Sequence, residues 1–367
     1  MIVAITLSAC NNESEIFETG IETRDAITDI IEDFKSGINI ESRADFGFQV
    51  VSVDTKYYKI NEDTIVESLP TKSDDSVFDI STVKIKVDNS EGFVILSTDE
   101  RLHKIFYYTE NGNLSDTVNI APLKEYIDMV PFFAADEIID HETALDTKAT
   151  VNEDILINSI VPFKWGQNYP FNNLTPECNC SNCGGHMPIG CVTTASAQTL
   201  ATIGSFNSTL YGSKDIDFKK LPRYSNYMTT AQQQQISHYF YEVALCCQIK
   251  FECGGSGSSI KAAYQYFKDL GYKCSYKEGG IDCQQLISEL QKGYPHMIAG
   301  RNSSGHMWIV DGFRSSGSST YFSCNWGWNG YCDGWVDGNP YTVHYPDNST
   351  KSFSKNLRHI YIESKPI

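Results

Sequence analysis

The sequence predicts an α+β protein made of two units. The first unit, residues 11–148, combines a helical segment with strands whose apolar residues recur at every second position. The second unit, residues 149–367, starts with helical patterns and ends in strands and tight turns. Charge and cysteine content change at the same boundary. We therefore expect the second unit to have a helical lobe and a sheet lobe, with a cleft between them.

In the first unit, a helix is predicted over about residues 21–34 and strands after it. The clearest strand runs from Thr82 to Asp88, where polar residues alternate with core-facing Val83, Ile85 and Val87. Further strands are expected at 92–97 and 105–108. A polar, exposed linker should follow from about Glu142 to Glu153, and such a segment is a favourable place for proteolytic cleavage.

In the second unit, two polar pairs predict the starts of helices, because their side chains can cap free backbone N–H groups. These pairs are Thr230 with Gln233 and Asp282 with Gln285. Glycines at which helices would end are Gly204, Gly271 and Gly293. The glycine-rich segment 254–259 lacks the lysine of a phosphate-binding loop and is interpreted as a flexible connector.

Charge divides the chain at the same place. Residues 1–150 hold 30 Asp and Glu against 12 Lys and Arg, a net charge of −18, whereas residues 151–367 hold 16 against 17, a net charge of +1. This asymmetry favours a detachable, solubilising first unit, with a simple solvated acidic surface as the alternative. No basic patch stands out, which argues against a nucleic-acid partner.

The cysteines lie almost entirely in the second unit. Of twelve, Cys10 lies near the start and the other eleven lie between Cys178 and Cys332. Three states remain open: disulfides of unknown connectivity, zinc held by Cys178, Cys180, Cys183 and His186, or reduced and redox-active thiols. Disulfides are the first choice, because setting Cys191 aside leaves an even number: Cys178, Cys180, Cys183, Cys246, Cys247, Cys253, Cys274, Cys283, Cys324 and Cys332.

Cys191 is the candidate nucleophile. It follows Gly190 and opens a run of small and apolar residues at helical spacing, so it should sit at the first turn of a buried helix. Free N–H groups and the helix dipole favour a thiolate there. A buried structural cysteine is the alternative interpretation.

Three further residues complete a candidate catalytic set. A cysteine nucleophile needs a base, a group that orients the base, and a donor for the oxyanion. His306, at the edge of an apolar strand, is the candidate base, and Asn325, in a Trp/Gly-rich turn, would accept a hydrogen bond from its Nδ1–H. Gln167, 24 residues before Cys191, would hold the oxyanion together with the Cys191 backbone N–H.

These motifs resemble, in order and spacing, the streptopain family of papain-fold cysteine peptidases. The residues that carry the resemblance are Trp165 and Gln167, Gly190-Cys191-Val192, Gly305-His306 and Asn325-Trp326-Gly327-Trp328. The similarity runs from about Val161 to the end of the chain. Residues 91–101 also resemble the strand motif of that family's inhibitory propeptide. The cysteine cluster at 178–183 and the cysteines that flank Asn325 depart from the pattern we expect of the family.

The resemblance implies a papain-like, two-lobed peptidase domain over residues 149–367, preceded by an inhibitory α+β propeptide over 11–148. It implies an endopeptidase with a Cys-His pair, protein substrates and no cofactor or metal. Gly305 and Trp326 are the candidate substrate-binding residues, although Trp326 could instead shield the pair by packing. The alternatives are another Cys-His acyl transferase and a catalytically silent surface protein; the complete Gln-Cys-His-Asn set argues against the silent protein.

The start of the chain predicts export. Residues 1–10 are apolar and end in Leu-Ser-Ala-Cys, which resembles the lipobox of bacterial lipoproteins, with Cys10 as the acylated residue. An ordinary secretory signal is the alternative. We therefore expect an extracellular or cell-surface protein, anchored to the outer membrane through Cys10, and we expect a monomer.

Overall fold

The structure, a computed structural model, describes most of the chain. The described residues are 13–38, 47–61, 64–70, 74–143, 154–179, 184–204, 216–301, 305–317, 319–338 and 357–366. The predicted lipid-anchor residue Cys10, residues 144–153 of the predicted linker, and Cys180 and Cys183 lie outside them. The first two residues of that linker, 142 and 143, belong to a helix.

Where the structure describes it, the first unit consists of two α-helices and a meander of antiparallel strands. Its elements, in chain order, are α1 (Glu13–Ile38), β1 (Phe48–Asn61), β2 (Thr64–Ser68), β3 (Val77–Val87), β4 (Ser90–Leu96), β5 (Ile105–Thr109) and α2 (Ala121–Thr143). In β3, the alternating apolar residues are buried as predicted, with Val83 and Ile85 fully inaccessible. Helix α2 was not predicted, although its buried residues recur at helical spacing: Leu123, Tyr126, Val130 and Ile138.

The second unit has helices first and strands last. Its elements are β6 (Ile155–Ile157), α3 (Cys191–Ile203), α4 (Thr230–Cys246), α5 (Ile260–Asp269), β7 (Lys273–Glu278), α6 (Cys283–Gln291), β8 (His296–Arg301), β9 (Gly305–Ser316), β10 (Ser319–Asn325), β11 (Gly334–Asp337) and β12 (Arg358–Ser364). Helix α3 is buried along almost its whole length, against α4 and the strand β9. This fixes its first residue, Cys191, relative to the sheet.

The predicted helix boundaries are close to those observed. Asp282 caps α6 by accepting from Gln285 N–H at 3.0 Å, as expected. The cap of α4 is Thr229, paired with Gln232, and not Thr230 with Gln233. The error is one residue, because either threonine has a glutamine three positions later. The glycines expected at helix ends all have positive φ: Gly204, Gly271 and Gly293.

One continuous sheet joins the two units. Within the described residues its strand order is β2-β1-β3-β4-β5-β11-β10-β9-β8-β12-β7, with β6 also pairing with β9. The junction is the antiparallel pair β5 and β11, where Tyr107 lies opposite Val336 and Thr109 opposite Gly334. Gly334 is required there, because a Cβ atom would come within 2.1 Å of the Tyr108 carbonyl oxygen. The two units therefore meet through backbone pairing.

No helix among the described residues has the length and apolarity needed to cross a bilayer.

A buried histidine also lies at the junction of the two units. His103, in the first unit, contacts the Glu137 carboxylate through Nδ1 and lies 3.3 Å from Asp337 Oδ2 of β11 through Nε2. Phe106 packs against the ring, and Tyr321 is within electrostatic reach of both carboxylates. Burial alone would lower the pKa of His103, but Asp337 and Glu137 outweigh it and the pKa is raised. The protonated imidazole therefore favours the joined state.

We predict that His103→Asn weakens the joined state chiefly at low pH. A raised folded pKa contributes stability that is complete below the ordinary value of 6.5 and is lost as the pH rises through the folded value. Thermal unfolding of the Cys191→Ala precursor, with and without His103→Asn, measures this. The melting temperature should fall by about 2–4 °C per kcal/mol lost, with the difference shrinking above pH 6.5.

The control is His238→Asn, since His238 is exposed on α4. A difference for His103→Asn that stays constant with pH would contradict a protonated histidine at the junction.

Candidate active site

Cys191 is the first residue of α3, as the sequence predicts. The preceding Gly190 has φ 91°, and a Cβ atom there would lie 2.7 Å from the Ser256 carbonyl oxygen. Only glycine meets both conditions without strain. The segment before it is held by a hydrogen bond from Ile189 N–H to the Gln167 carbonyl at 2.8 Å. The local backbone thus presents Cys191 beside Gln167.

His306 is the second residue of β9 and is 7% exposed. The Cys191 thiol, His306 and the next residue, Met307, line the same cleft, and the Met307 backbone acts to lower the pKa of the thiol. His306 Nε2 lies 2.9 Å from the carbonyl oxygen of Trp326. A carbonyl only accepts hydrogen bonds, so Nε2 carries the proton and Nδ1 carries the lone pair of the neutral ring. Nδ1 is therefore the nitrogen able to act as the base.

Both groups of the pair are held neutral in this structure. Burial raises the pKa of the Cys191 thiol above its ordinary value of 9.0, against backbone hydrogen bonds from Met307, Val192 and Cys191 itself. Burial lowers the pKa of His306 to about 4, although its hydrogen bond to Trp326 raises it. Burial therefore acts against the thiolate that the sequence predicts at the helix start.

Asn325 does not occupy the expected position beside the imidazole. Its Nδ2 donates to the Phe163 carbonyl at 2.9 Å, and its Oδ1 accepts from Gly327 N–H at 3.1 Å and from Gln198 Nε2 at 3.2 Å. The group that orients His306 is instead the backbone carbonyl of Trp326. These hydrogen bonds occupy the Asn325 amide in holding the turn. The prediction that Asn325 accepts directly from His306 is therefore corrected: Asn325 acts on the imidazole only through the turn that carries the Trp326 carbonyl.

Gln198 is a site residue that the sequence analysis missed. It is fully buried on α3, and its Oε1 accepts from Trp165 N–H at 3.1 Å while its Nε2 donates to Asn325. One side chain thus ties the segment before Gln167 and the turn after β10 to the nucleophile helix. Gln198 lies two helical turns after Cys191 on a buried helix, and this spacing is the sequence signal by which it could have been found.

A cleft of about 1430 Å³ opens between the helices and the sheet. It is lined by Cys191 and His306 together with Gln167 and Gly305. Gly305 is exposed, and a side chain there would meet open space, in keeping with a surface that substrate approaches.

Trp326, expected at the substrate, is not in the cleft lining. Its ring is fully buried and packs against Trp308 with a centroid distance of 5.2 Å. Trp328 occupies the expected place, because it lines the cleft and its ring lies 6.4 Å from the His306 ring, nearly parallel to it. The ring of Trp326 thus faces the core, and the ring of Trp328 faces the cleft. The spacing of the two tryptophans in the sequence did not predict this.

The glycine-rich segment 254–259 is a wall of the cleft and more than a connector. Its Ser256 carbonyl approaches Gly190, and the neighbouring Lys250 and Gly257 exchange backbone hydrogen bonds at 2.9 and 3.1 Å. The sulfur atoms of Cys178 and Cys253 lie at bonding distance, with Cα atoms 5.8 Å apart. This contact connects the wall to the segment before Cys191.

The first unit reaches the same cleft. Asn119 and Ala121, at the start of α2, belong to its lining. Nearby, Asn111 accepts from Cys332 N–H at 2.7 Å and donates to the Gly330 carbonyl at 3.1 Å. The turn that follows Trp326 and Trp328 is therefore bound directly by the first unit.

Comparison with known proteins agrees with this geometry. Residues 165–336 match the profile of the Peptidase C10 family. The matched segment contains Gln167, Cys191 and His306. The resemblance to the streptopain family is confirmed. A search of curated proteins finds the thiol protease/hemagglutinin PrtT of Porphyromonas gingivalis, 26% identical over 202 residues, which are 47% of this chain. The match spans 22% of that relative's length.

Solved structures resemble both units of the chain. A fragment of Prevotella intermedia prointerpain A is 20% identical and covers 78% of this chain and 96% of the fragment, with a TM-score of 0.58. Active interpain A from the same organism covers 56% of this chain and 94% of its own, at 21% identity and a TM-score of 0.44. The first likeness confirms the predicted α+β, papain-like fold with a preceding unit.

We predict that Cys191 reacts slowly with an alkylating reagent while the first unit is attached. The raised pKa leaves little thiolate at neutral pH, and the rate should increase up to and beyond pH 9.0. Iodoacetamide labelling followed by intact mass, compared between the precursor and a form lacking the first unit, measures this. A precursor labelled at pH 6 as fast as the shortened form would show that the thiolate is already formed.

Proposed function

We propose that the protein is a cysteine endopeptidase made as a zymogen, which cleaves peptide bonds in protein substrates. The observation that carries the proposal is that Cys191 and His306 open into one cleft that residues of the first unit also line. The volume of that cleft, about 1430 Å³, and its exposed Gly305 suit an extended peptide. The C10 family match of the second unit supports the same chemistry.

In the first half of the reaction, Cys191 attacks the substrate carbonyl. His306 Nδ1 takes the thiol proton, and the Trp326 carbonyl on Nε2–H holds the ring and stabilises the imidazolium that forms. The tetrahedral oxyanion would lie between the Gln167 amide and the Cys191 backbone N–H. His306 then gives its proton to the leaving amine, which produces an acyl-enzyme.

In the second half, water enters where the amine left. His306 removes its proton, the hydroxide attacks the thioester, and the same oxyanion donors hold the second tetrahedral intermediate. Collapse of that intermediate releases the new carboxylate and returns Cys191 to the thiol. Every step uses groups of this chain and water.

The first unit would act as an intramolecular inhibitor. Two features support this role: its α2 borders the cleft, and its Asn111 binds the turn that carries Trp328. Its attachment also accompanies a raised pKa of Cys191 and a pKa of about 4 for His306, which together oppose the proton transfer from thiol to imidazole that attack requires. Cleavage within about 142–153 would separate the units.

We further propose the finer assignments that the sequence favours. The boundary between propeptide and peptidase domain lies near residue 148, and the chain is exported and acts outside the cell as a monomer. Cys10 would carry a lipid anchor to the outer membrane. Cys178 and Cys253 would form a disulfide, supported by the contact of their sulfur atoms.

Cys191→Ala should leave a folded precursor that neither hydrolyses substrate nor shortens itself, because one sulfur atom is removed and little packing changes. The wild-type precursor should yield a shorter species that begins between Glu142 and Glu153, with activity rising in step. Gel analysis, N-terminal sequencing and a protein substrate assay measure these outcomes. Cys283→Ala, which removes another free thiol on α6, is the control and should process normally. Turnover by purified Cys191→Ala would refute the nucleophile.

Gln167→Ala should lower kcat by roughly 10²–10³ with a modest change in KM, which is the usual loss when one oxyanion donor is removed. Steady-state kinetics of the activated enzyme measure this. An effect on KM alone would instead make Gln167 a substrate-binding residue.

A further inference from the structure

The imidazole of His306 is oriented by a backbone group, so its position depends on whatever holds that backbone in place. The Trp326 carbonyl belongs to the turn between β10 and β11, which runs over Gly327, Asn329 and Gly330, all with positive φ. A turn rich in such positions has no regular ladder of its own. Backbone hydrogen bonds hold its later part, from Asn329 N–H to the Trp165 carbonyl at 3.3 Å and from Tyr331 N–H to the Trp328 carbonyl at 3.0 Å. At Trp326 the backbone N–H is bound by a side chain.

Asp333 is the side chain that binds this turn at Trp326. Its Oδ1 accepts from Trp326 N–H at 2.8 Å, and its Oδ2 accepts from Lys164 Nζ at 2.7 Å. The side chains of Lys164 and Asp333 are only 9% and 7% exposed. One carboxylate thus fixes the residue whose carbonyl holds His306.

Lys164 connects the same carboxylate to the other side of the cleft. Its backbone N–H donates to the Arg223 carbonyl at 2.8 Å, and it lies three residues before Gln167. Burial alone would lower the pKa of Lys164, but Asp333 and Asp311 outweigh it, so the pKa is raised and the ammonium stays charged. The charged pair therefore links the segment that carries Gln167 to the turn whose Trp326 carbonyl holds His306.

We propose that Lys164 and Asp333 are a positioning pair for catalysis, which holds the Trp326 backbone so that its carbonyl orients His306. The pair touches neither substrate nor the reacting atoms and acts through Trp326. The inference rests on the proposed peptidase function. It assigns to a lysine and an aspartate, 169 residues apart, the orienting task that we expected of Asn325.

Stability alone gives a weak reason for such a pair. Two charges withdrawn from water lose hydration, and a buried ion pair replaced by apolar residues of similar size often leaves stability unchanged or improved. What apolar residues cannot do is accept the Trp326 N–H. The carboxylate satisfies this donor and the ammonium together, which gives one defined geometry.

Two double variants separate positioning from general stability. Lys164→Gln with Asp333→Asn removes both charges but keeps an oxygen for Trp326 N–H and a neutral hydrogen bond between the two side chains. Lys164→Gln with Asp333→Ala removes the acceptor as well. Both variants lose the ion pair, so they differ chiefly in whether the Trp326 backbone is held.

The first readout is kinetic. The precursors are matured by an added serine protease that is afterwards inhibited, and folding is checked by circular dichroism. The variant with Asp333→Ala should lose about 10–100-fold in kcat with KM nearly unchanged, in the range typical for loss of an orienting partner. The variant with Asp333→Asn should lose less than about ten-fold. Equal kcat in the two variants would overturn the proposal.

The second readout does not require activity. In the Cys191→Ala precursor, the pKa of His306 can be followed by NMR of labelled histidine. Lys164→Gln with Asp333→Ala should move it from about 4 toward the ordinary 6.5, because a loosened ring gains solvent. Glu289→Gln is the matched control: Glu289 is 2% exposed, bonds Gln285 and lies outside the cleft lining. The proposal would be overturned if the pKa of His306 stayed unchanged in Lys164→Gln with Asp333→Ala, or if it changed equally in Glu289→Gln.

The outcome is distinguishable from failure of the proposed function. If Cys191→Ala retained turnover, the peptidase assignment itself would fail. If Cys191→Ala is inactive while Lys164→Gln with Asp333→Ala changes neither kcat nor the pKa of His306, the positioning pair alone is refuted.

Discussion

The hydrogen bond from His306 to the Trp326 carbonyl is the interaction on which the site depends. It fixes the tautomer, leaves Nδ1 free to accept the thiol proton, and makes the turn between β10 and β11 part of the catalytic geometry. The first unit binds the same turn: Thr109 Oγ1 donates to the Asp333 carbonyl at 2.7 Å, and Tyr107 donates to the Cys332 carbonyl. Inhibition and catalysis therefore share one short stretch of backbone. A shift of that stretch on release of the first unit would reach His306 without any contact to the imidazole itself.

Desolvation acts against proton transfer between Cys191 and His306 in this arrangement. The start of α3 offers N–H groups to a thiolate, yet burial raises the pKa of Cys191 and lowers that of His306, so proton transfer between them would place two opposite charges in a poorly hydrated cleft. Asn119 and Ala121 of the first unit line the same cleft. Their removal would admit water and let the N–H groups at the helix start and the Trp326 carbonyl stabilise the charged pair. The same residues then serve an inactive and an active state, and solvent access separates the two.

The sequence predicted the positions that carry chemistry and missed those that hold them. Cys191, His306 and Gln167 stand in short motifs whose residue types are required by the reaction, and the structure places all three in one cleft. The partner of the imidazole could not be predicted, because a backbone carbonyl leaves no trace in residue identity. Asn325 was assigned to it for having a suitable amide, which the core uses instead. Helix α2 was missed for a different reason: Pro131 lies inside it, although Tyr126, Val130 and Ile138 recur at helical spacing.

The strong charge asymmetry of the chain contributes little to how the units hold together. The joint is made by backbone pairing of β5 with β11 and by packed rings, such as Phe34 on Tyr321 with centroids 4.9 Å apart. Arg314 of the second unit lies over the Phe34 ring and donates to its carbonyl at 3.1 Å, a contact made to a ring and a backbone oxygen. The ionic contribution at His103 is buried, where dissolved ions screen weakly. Salt therefore has little effect on such a joint. The backbone hydrogen bonds between β5 and β11 do not depend on side-chain charge. Separation of the units therefore requires a cut in the connecting chain or unfolding of the first unit.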